Sequence, residues 1–418
     1  MKKRILLFLV FGILCCGVLQ AQTPEVNKEK YVQYRERLRN ELMFYSGDGS
    51  VRASHLPMER KYHNGKCMVA RWADAVWWQG HYVGVLATEY ELKRRAGEST
   101  ENTLKELACA LDVYDRLDRE GESCWNGDPM LNGFYIRDDI QKEDTSLFCV
   151  GAIAADYIYY CGKTGATRHA PSQDQAWGSY IGFALVKKFV PDSAIQRHVS
   201  DICERMVRGM QYTDRKGNKS WQIVNPVTDA VMQKEGDIQW LQYAHGTIAT
   251  QLTGKNMHFG NSNKAHWKNI WNILQDNVLI DGDGHFTWYG VISMSAVMNE
   301  GGTGSSSCYD WLVKTTDKIV RRHPEMKQEL FFPHLPLLNI ALYGSNGKQL
   351  VDRKRYEAYL NTAPANGAIT ERRNGVEVRT EAPWHTLSLF CPWHNSDTGT
   401  GNMIDYMLLY NLFHIVYD

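Results

Sequence analysis

The chain has 418 residues, 47 Lys and Arg against 47 Asp and Glu, and a formal net charge of zero. With no basic run or tail to break that balance, nucleic acid and anionic membrane are poor expectations as partners. So long a chain buries a large core without disulfide staples.

The N-terminus has the form of an export signal. Lys2, Lys3 and Arg4 precede an apolar run over residues 5–19 interrupted only by Gly and Cys, and Ala21 offers a small residue for cleavage. The run is about 15 residues, short of the roughly 20 that span a bilayer. The expectation is a signal peptide over 1–21 and a secreted or periplasmic mature chain. An uncleaved anchor and lipidation at Cys16 are the alternatives. No later segment reaches spanning length without charges, so no membrane span is expected in the mature chain.

Residues 22–64 read as a charged N-terminal helix and a linker, the helix over 26–45 being stopped by Gly47-Asp48-Gly49. From there to the C-terminus one theme repeats: an apolar stretch of helical period, then Gly, Asn, Asp or Pro, then another helix. The spacing predicts helices over 74–95, 101–119, 144–161, 173–189, 192–212, 237–252, 263–279, 287–298, 305–322, 334–343 and 402–416. Only 375–380 alternates as a strand does. Loops rich in Gly over 301–305 and 398–401 suit cleft loops. About twelve helices, paired and of similar length, without a fixed-period repeat or a nucleotide-binding glycine motif, fit an all-α fold: a closed α/α toroid over residues 65–418. In such a ring, inner helices are encircled by outer ones and loops at one end build a cleft.

Cys15 and Cys16 leave with the signal, and none of the other cysteines forms a CxxC pair, so neither structural zinc nor another metal site is expected. An exported chain permits bridges, and Cys67–Cys124 is the pair expected first.

Thirteen Trp and 22 Tyr are a heavy aromatic load. Packing accounts for most of them, and stacking on sugar rings is the sharper reading. Two segments carry a resemblance: Arg71-Trp72-Ala73-Asp74-Ala75-Val76-Trp77-Trp78 at one helix start and Ser172-Gln173-Asp174-Gln175-Ala176-Trp177-Gly178 at another. With the helices that follow, they make the chain resemble the six-hairpin glycosidase superfamily over most of residues 65–416. The resemblance implies an (α/α)6 toroid, a carbohydrate substrate and a cleft built at the helix starts. The arginine-glycine-aspartate motifs of unsaturated-glucuronyl hydrolases are not present.

Glycoside cleavage needs one carboxyl to protonate the leaving oxygen and a second to activate water or attack carbon. Asp174, Asp74 and Asp139 are the catalytic candidates. Asp174 falls in a helix's first turn, where the dipole lowers its pKa and suits it to act as base; an ordinary cap has the same position. Asp74 stands among Trp72, Trp77, Trp78 and His81, whose aromatic walls raise a carboxyl pKa. Asp138 and Asp139 follow Arg137 in a loop, and Glu235 and Asp237 are weaker candidates. Trp77, Trp78, His81, Arg137, Gln175, Trp177, Trp240, His245 and Trp288 are expected to bind the sugar. No cofactor is called for, and oligomeric state is not legible. The rival readings are a polysaccharide lyase on the same scaffold, recruiting Tyr243, His245, Arg137 and Asn225, and a glycan-binding protein without catalysis.

Overall fold

Helices dominate the residues that the computed structural model describes, which are 24–43, 51–63, 66–72, 75–144, 152–166, 169–170, 173–234, 239–260, 334–344, 352–364, 368–373, 376–379 and 398–418. The signal segment, the helices expected over 263–322, the glycine-rich loop at 301–305, Asp74, Glu235, Asp237 and Trp288 lie outside them. In chain order the helices are α1 (Pro24–Arg37, continued by a π turn, Leu38–Leu42), α2 (Ala75–Ala96), α3 (Glu101–Ser123), α4 (Asp156–Tyr160), α5 (Gln173–Phe189), α6 (Ser193–Gly209), α7 (Gln239–Thr253), α8 (His334–Tyr343), α9 (Arg353–Thr362) and α10 (Ile404–Tyr417). Among the described residues no helix is long and apolar enough to cross a membrane.

Local chemistry sets several of these boundaries. Gly97 adopts φ +71°, and its N–H and that of Glu98 donate to Arg94 O and Lys93 O, closing α2 at a residue free of the Cβ penalty. Asp192 accepts from the N–H groups of Ala194 and Ile195, capping α6. The helices then sort into two layers by how they are buried. Residues 75–88 of α2 are buried on every side, as are residues 406–413 of α10. By contrast, α3 buries Thr103, Leu107, Ala110, Tyr114 and Leu117 at helical spacing, and α6 buries Ile195, Val199, Ile202 and Met206. A helix apolar all round belongs inside and an amphipathic one belongs outside.

Contacts fix the directions. Trp77 meets Trp177 and Gly84 faces Leu185, so α2 and α5 run parallel. Asn411 donates to Val85 O and Arg95 to Ile415 O, so α10 runs with them. Tyr180 bonds His245, while Ser200 links Lys187 to Leu252, so α7 runs the same way. The outer helices oppose them: Gln79 donates to Ala110 O and Lys93 to Thr103, which sets α3 antiparallel to α2. Tyr31 stacks on Tyr410 and Tyr34 meets Tyr406 edge to face, which sets α1 antiparallel to α10 and places it in the same core.

The fold is mainly rather than purely α. A six-stranded sheet has the order β3-β2-β1-β9-β7-β8, from β1 (Glu59–His63), β2 (Lys66–Arg71), β3 (Ala152–Ala154), β7 (Ala368–Arg373), β8 (Val376–Arg379) and β9 (Thr398–Thr400). All its pairs are antiparallel except β2 with β3. A smaller sheet joins β4 (Gln211–Thr213), β5 (Lys219–Val224) and β6 (Val231–Lys234). The strand expected over 375–380 is β8, whereas the flexible loop expected over 398–401 contains β9.

Two expectations are corrected. Of the helix expected over 144–161, residues 145–151 lie outside the described residues, and residues 152–160 hold β3 followed by the short α4. Pairing with β2 takes residues 152–154, and Asp138 accepts from the N–H groups of Asp156 and Tyr157, so the helix starts only there. Cys124 is bridged to Cys161, with Cα atoms 5.3 Å apart, and not to Cys67, which keeps its thiol in β2. The end of α3 and the end of α4 bring the bridged pair together.

Candidate functional site

Three glycines bring α2 and α5 into backbone contact. A Cβ built on Gly80 would lie 2.3 Å from Gly178 O, and one on Gly182 would lie 2.1 Å from Gly80 O. Only hydrogen fits at such a seam. The close approach places Trp77 and Trp177 with ring centroids 5.6 Å apart. His81 joins them, 4.6 Å from Trp77 and 6.2 Å from Trp177, and Trp78 lies 4.8 Å from Trp77. All four are buried. Burial pushes the His81 imidazole down to about 4, so the ring is neutral near pH 7. Its Nδ1 lies 3.0 Å from Trp77 O; a carbonyl only accepts, so Nδ1 carries the proton and Nε2 is left as an acceptor.

This cluster stands where the parallel helices begin. β2 ends at Arg71 just before α2, and β9 ends at Thr400 just before α10, so the larger sheet lies across the same end. Asp174 occupies the first turn of α5, three positions before Trp177 and so on the same helix face. Trp240 is in the first turn of α7. Sequence reasoning passed over one acid at this end. Asp405, in the first turn of α10, is half-buried, and burial pushes its carboxyl up to about 7. The rule that singled out Asp174, an acid at a helix start, would have found it.

Other expected residues sit elsewhere. Gln175 shares a helix face with Ser179, whose hydroxyl is 2.9 Å from Tyr114 of α3; Gln175 is fully buried and neither amide atom has a partner. His245 holds Tyr180 at 2.8 Å through Nδ1 and stacks on Trp221, while burial lowers its pKa to about 3. Arg137 donates from Nε to Ala170 O at 2.9 Å and approaches Asp156 at 3.8 Å, strapping the 137 loop to the segment that enters α5. Tyr243 stacks on His258, and Asn225 Oδ1 accepts from the N–H groups of Val227 and Thr228. Each of these side chains makes at least one such contact, while His245 Nε2 and Asn225 Nδ2 have no hydrogen-bond partner.

Asp139 lies on the flank of the molecule. It forms an ion pair with Arg116 at 2.7 Å, accepts from Ala53 N–H and helps line a cleft of about 530 Å³ with Arg52, Asp112, Asp115, Arg119 and Glu120. Beside this cleft Asp112, Asp115 and His198 bring three ligand-type atoms within 4.8 Å of one another. Asp115 is already bonded to His198 and Arg205, and the guanidinium opposes a cation there. Asp138, next to Asp139, is buried and accepts from three backbone N–H groups; burial pushes it up to about 8, with repulsion from Asp156 adding to the shift.

Comparison with family models, with curated proteins and with solved structures finds no match for this chain.

Proposed function

We propose that the chain is an exported carbohydrate-active enzyme, a glycoside hydrolase built as an (α/α)6 toroid, that takes its glycan at the end where α2, α5, α7 and α10 begin. One observation carries the reading. The parallel helices gather Trp77, His81 and Trp177 at one end, with Asp174 on the Trp177 face of α5. Aromatic faces receive the C–H groups of a pyranose, and the neutral His81 offers an acceptor to a hydroxyl.

Asp174 acts as the base. The helix dipole favours its ionised form, in which it takes a proton from water as the water oxygen bonds to the anomeric carbon. A second carboxyl gives its proton to the departing glycosidic oxygen as the carbon–oxygen bond breaks. Asp405, at the same end, is better placed for that role than Asp139, which Arg116 already holds. Export fits the Cys124–Cys161 bridge, since such bonds persist in oxidising compartments.

Asp174→Asn keeps the size and capping ability of the residue but cannot accept the proton. Hydrolysis across a glycan panel should fall by roughly 10²–10⁴, with stability changed by about 1 kcal/mol or less. Near-normal turnover in the variant would reduce Asp174 to a cap. A second reading, glycan binding without catalysis, is favoured by the commitment of Asp139 to Arg116. Saturable binding with no hydrolysis by the wild type would establish it.

A further inference from the structure

Behind the start of α5 lies a polar cluster that the proposed reaction does not use. His169 is fully buried, and neither Nδ1 nor Nε2 has a hydrogen-bond partner. Its ring lies 5.1 Å from Trp125, whose Nε1–H is likewise buried without an acceptor, and 5.6 Å from Tyr157. Buried polar atoms are nearly always paired, so three unpaired ones about a single ring contact call for an occupant. Burial and the nearby Arg137 hold His169 neutral, so its ring presents one donor and one acceptor. With the indole N–H the set is two donors and one acceptor, which complements a hydroxyl or a neighbouring pair of hydroxyls.

The surroundings narrow the ligand. Trp125, Phe134 and Tyr157 supply apolar ring faces. Arg137 and Tyr157 are only partly buried and give the approach from solvent. Arg137 has its charge set against Asp156 and its Nε on Ala170 O, so it does not call for an anion. The Cys124–Cys161 bridge fastens one edge, because Cys124 immediately precedes Trp125. We propose that Trp125, Tyr157 and His169 form a recess that receives a hydroxyl edge of a neutral sugar. The assignment rests on the carbohydrate reading above and adds to it a subsite and a substrate class, neutral rather than uronic.

The test uses the full mature chain carrying Asp174→Asn and 5-fluorotryptophan, followed by ¹⁹F NMR. The Trp125 resonance is the one lost in Trp125→Phe. Neutral methyl glycosides and their oligosaccharides are titrated, with a methyl glucuronide as the charged control. At least one neutral sugar should shift the Trp125 resonance saturably while the glucuronide does not. His169→Leu should weaken that binding at least tenfold yet melt no lower than its parent, because Leu removes two unpaired buried nitrogens. His169→Asn, which keeps a donor and an acceptor, should bind within a few-fold of the parent and guards against a folding defect in the Leu variant. A Trp125 resonance that no neutral sugar moves, or a His169→Leu variant with parental affinity, would show that the recess holds only water and would overturn the proposal. The readout is binding at Trp125, so it decides the matter whether or not Asp174 proves to be the base.

Discussion

Arg116 is pinned on three sides, by Asp139 at 2.7 Å and by the carbonyls of Val51 and Ser54 at 2.9 and 3.0 Å. Both charges of the pair are largely withdrawn from water, so removing one leaves the other costly. Asp139→Ala should lower the unfolding free energy by about 3 kcal/mol in urea titration, towards the low end for a buried pair because the two carbonyls remain. A loss under about 1 kcal/mol would mean that the pair is solvated and that Asp139 is free for other work. The residue type was legible as interesting in the sequence, but its partner was not, since Arg116 stands on another element. The same holds for His169, a lone histidine in a loop until Trp125 and Tyr157 pack around it. Trp77, His81 and Trp177 were legible because helical period puts each on a face, and the glycines mark where two such faces meet.

At the scale of elements, the α2–α5 seam is the feature most exposed to test. Backbone opposes backbone at Gly80, so an added methyl has no flexible side chain to displace. Gly80→Ala should cost about 2 kcal/mol, an overpacking penalty of about 3 reduced by the roughly 1 kcal/mol that Ala gains over Gly in a helix. Gly84→Ala is the internal control: its nearest neighbour is a Leu185 methyl at 3.0 Å, which can move, so the change should be within about 1 kcal/mol. Equal effects at the two sites in denaturant unfolding would refute the close approach. Long helices such as α5 and α8 were readable to the residue because their stop signals are local. The larger sheet was not. β2 pairs with β3 some 80 residues away and β1 with β9 more than 300 away, and strands such as Glu59–His63 are too short and polar to announce themselves. Helix α9 was missed for a related reason, since it buries only Tyr356 and Leu360.

For the whole molecule, the one bridge among the described residues closes a loop 37 residues long in sequence separation. Replacing both Cys124 and Cys161 by Ser should remove about 4 kcal/mol by the chain-entropy relation, read as a lower urea midpoint. Peptide mapping of the wild type that recovered Cys124 bridged to Cys67 would contradict the pairing outright. Sequence could not choose this pair, because connectivity follows from where the ends of α3 and α4 meet.

The pH dependence of stability brings the buried groups together. His81, His169 and His245 are held down at about 4, 3 and 3 by burial, below the roughly 6.5 of the unfolded chain. Between those values the unfolded state binds a proton that the folded state refuses, so each histidine destabilises the protein as pH falls from about 6.5 towards 4. Asp138 and Asp405, raised to about 8 and about 7, act in the opposite sense. Folded, they keep a proton that the unfolded chain releases near 4, so their contribution is lost as pH rises towards 7 or 8. Among these five groups, three histidines against two carboxyls leave a net of about one proton on the acid side, or roughly 1.4 kcal/mol per pH unit. Above about pH 6.5 the histidines no longer contribute and the carboxyls alone lower stability. Urea unfolding at about pH 5, 6.5 and 8 should therefore give a maximum near the middle value. His245→Gln removes one histidine from the balance and should flatten the acid limb, and Asp138→Asn should make the alkaline limb shallower. An unchanged acid slope in His245→Gln would show that this imidazole is not held neutral by burial.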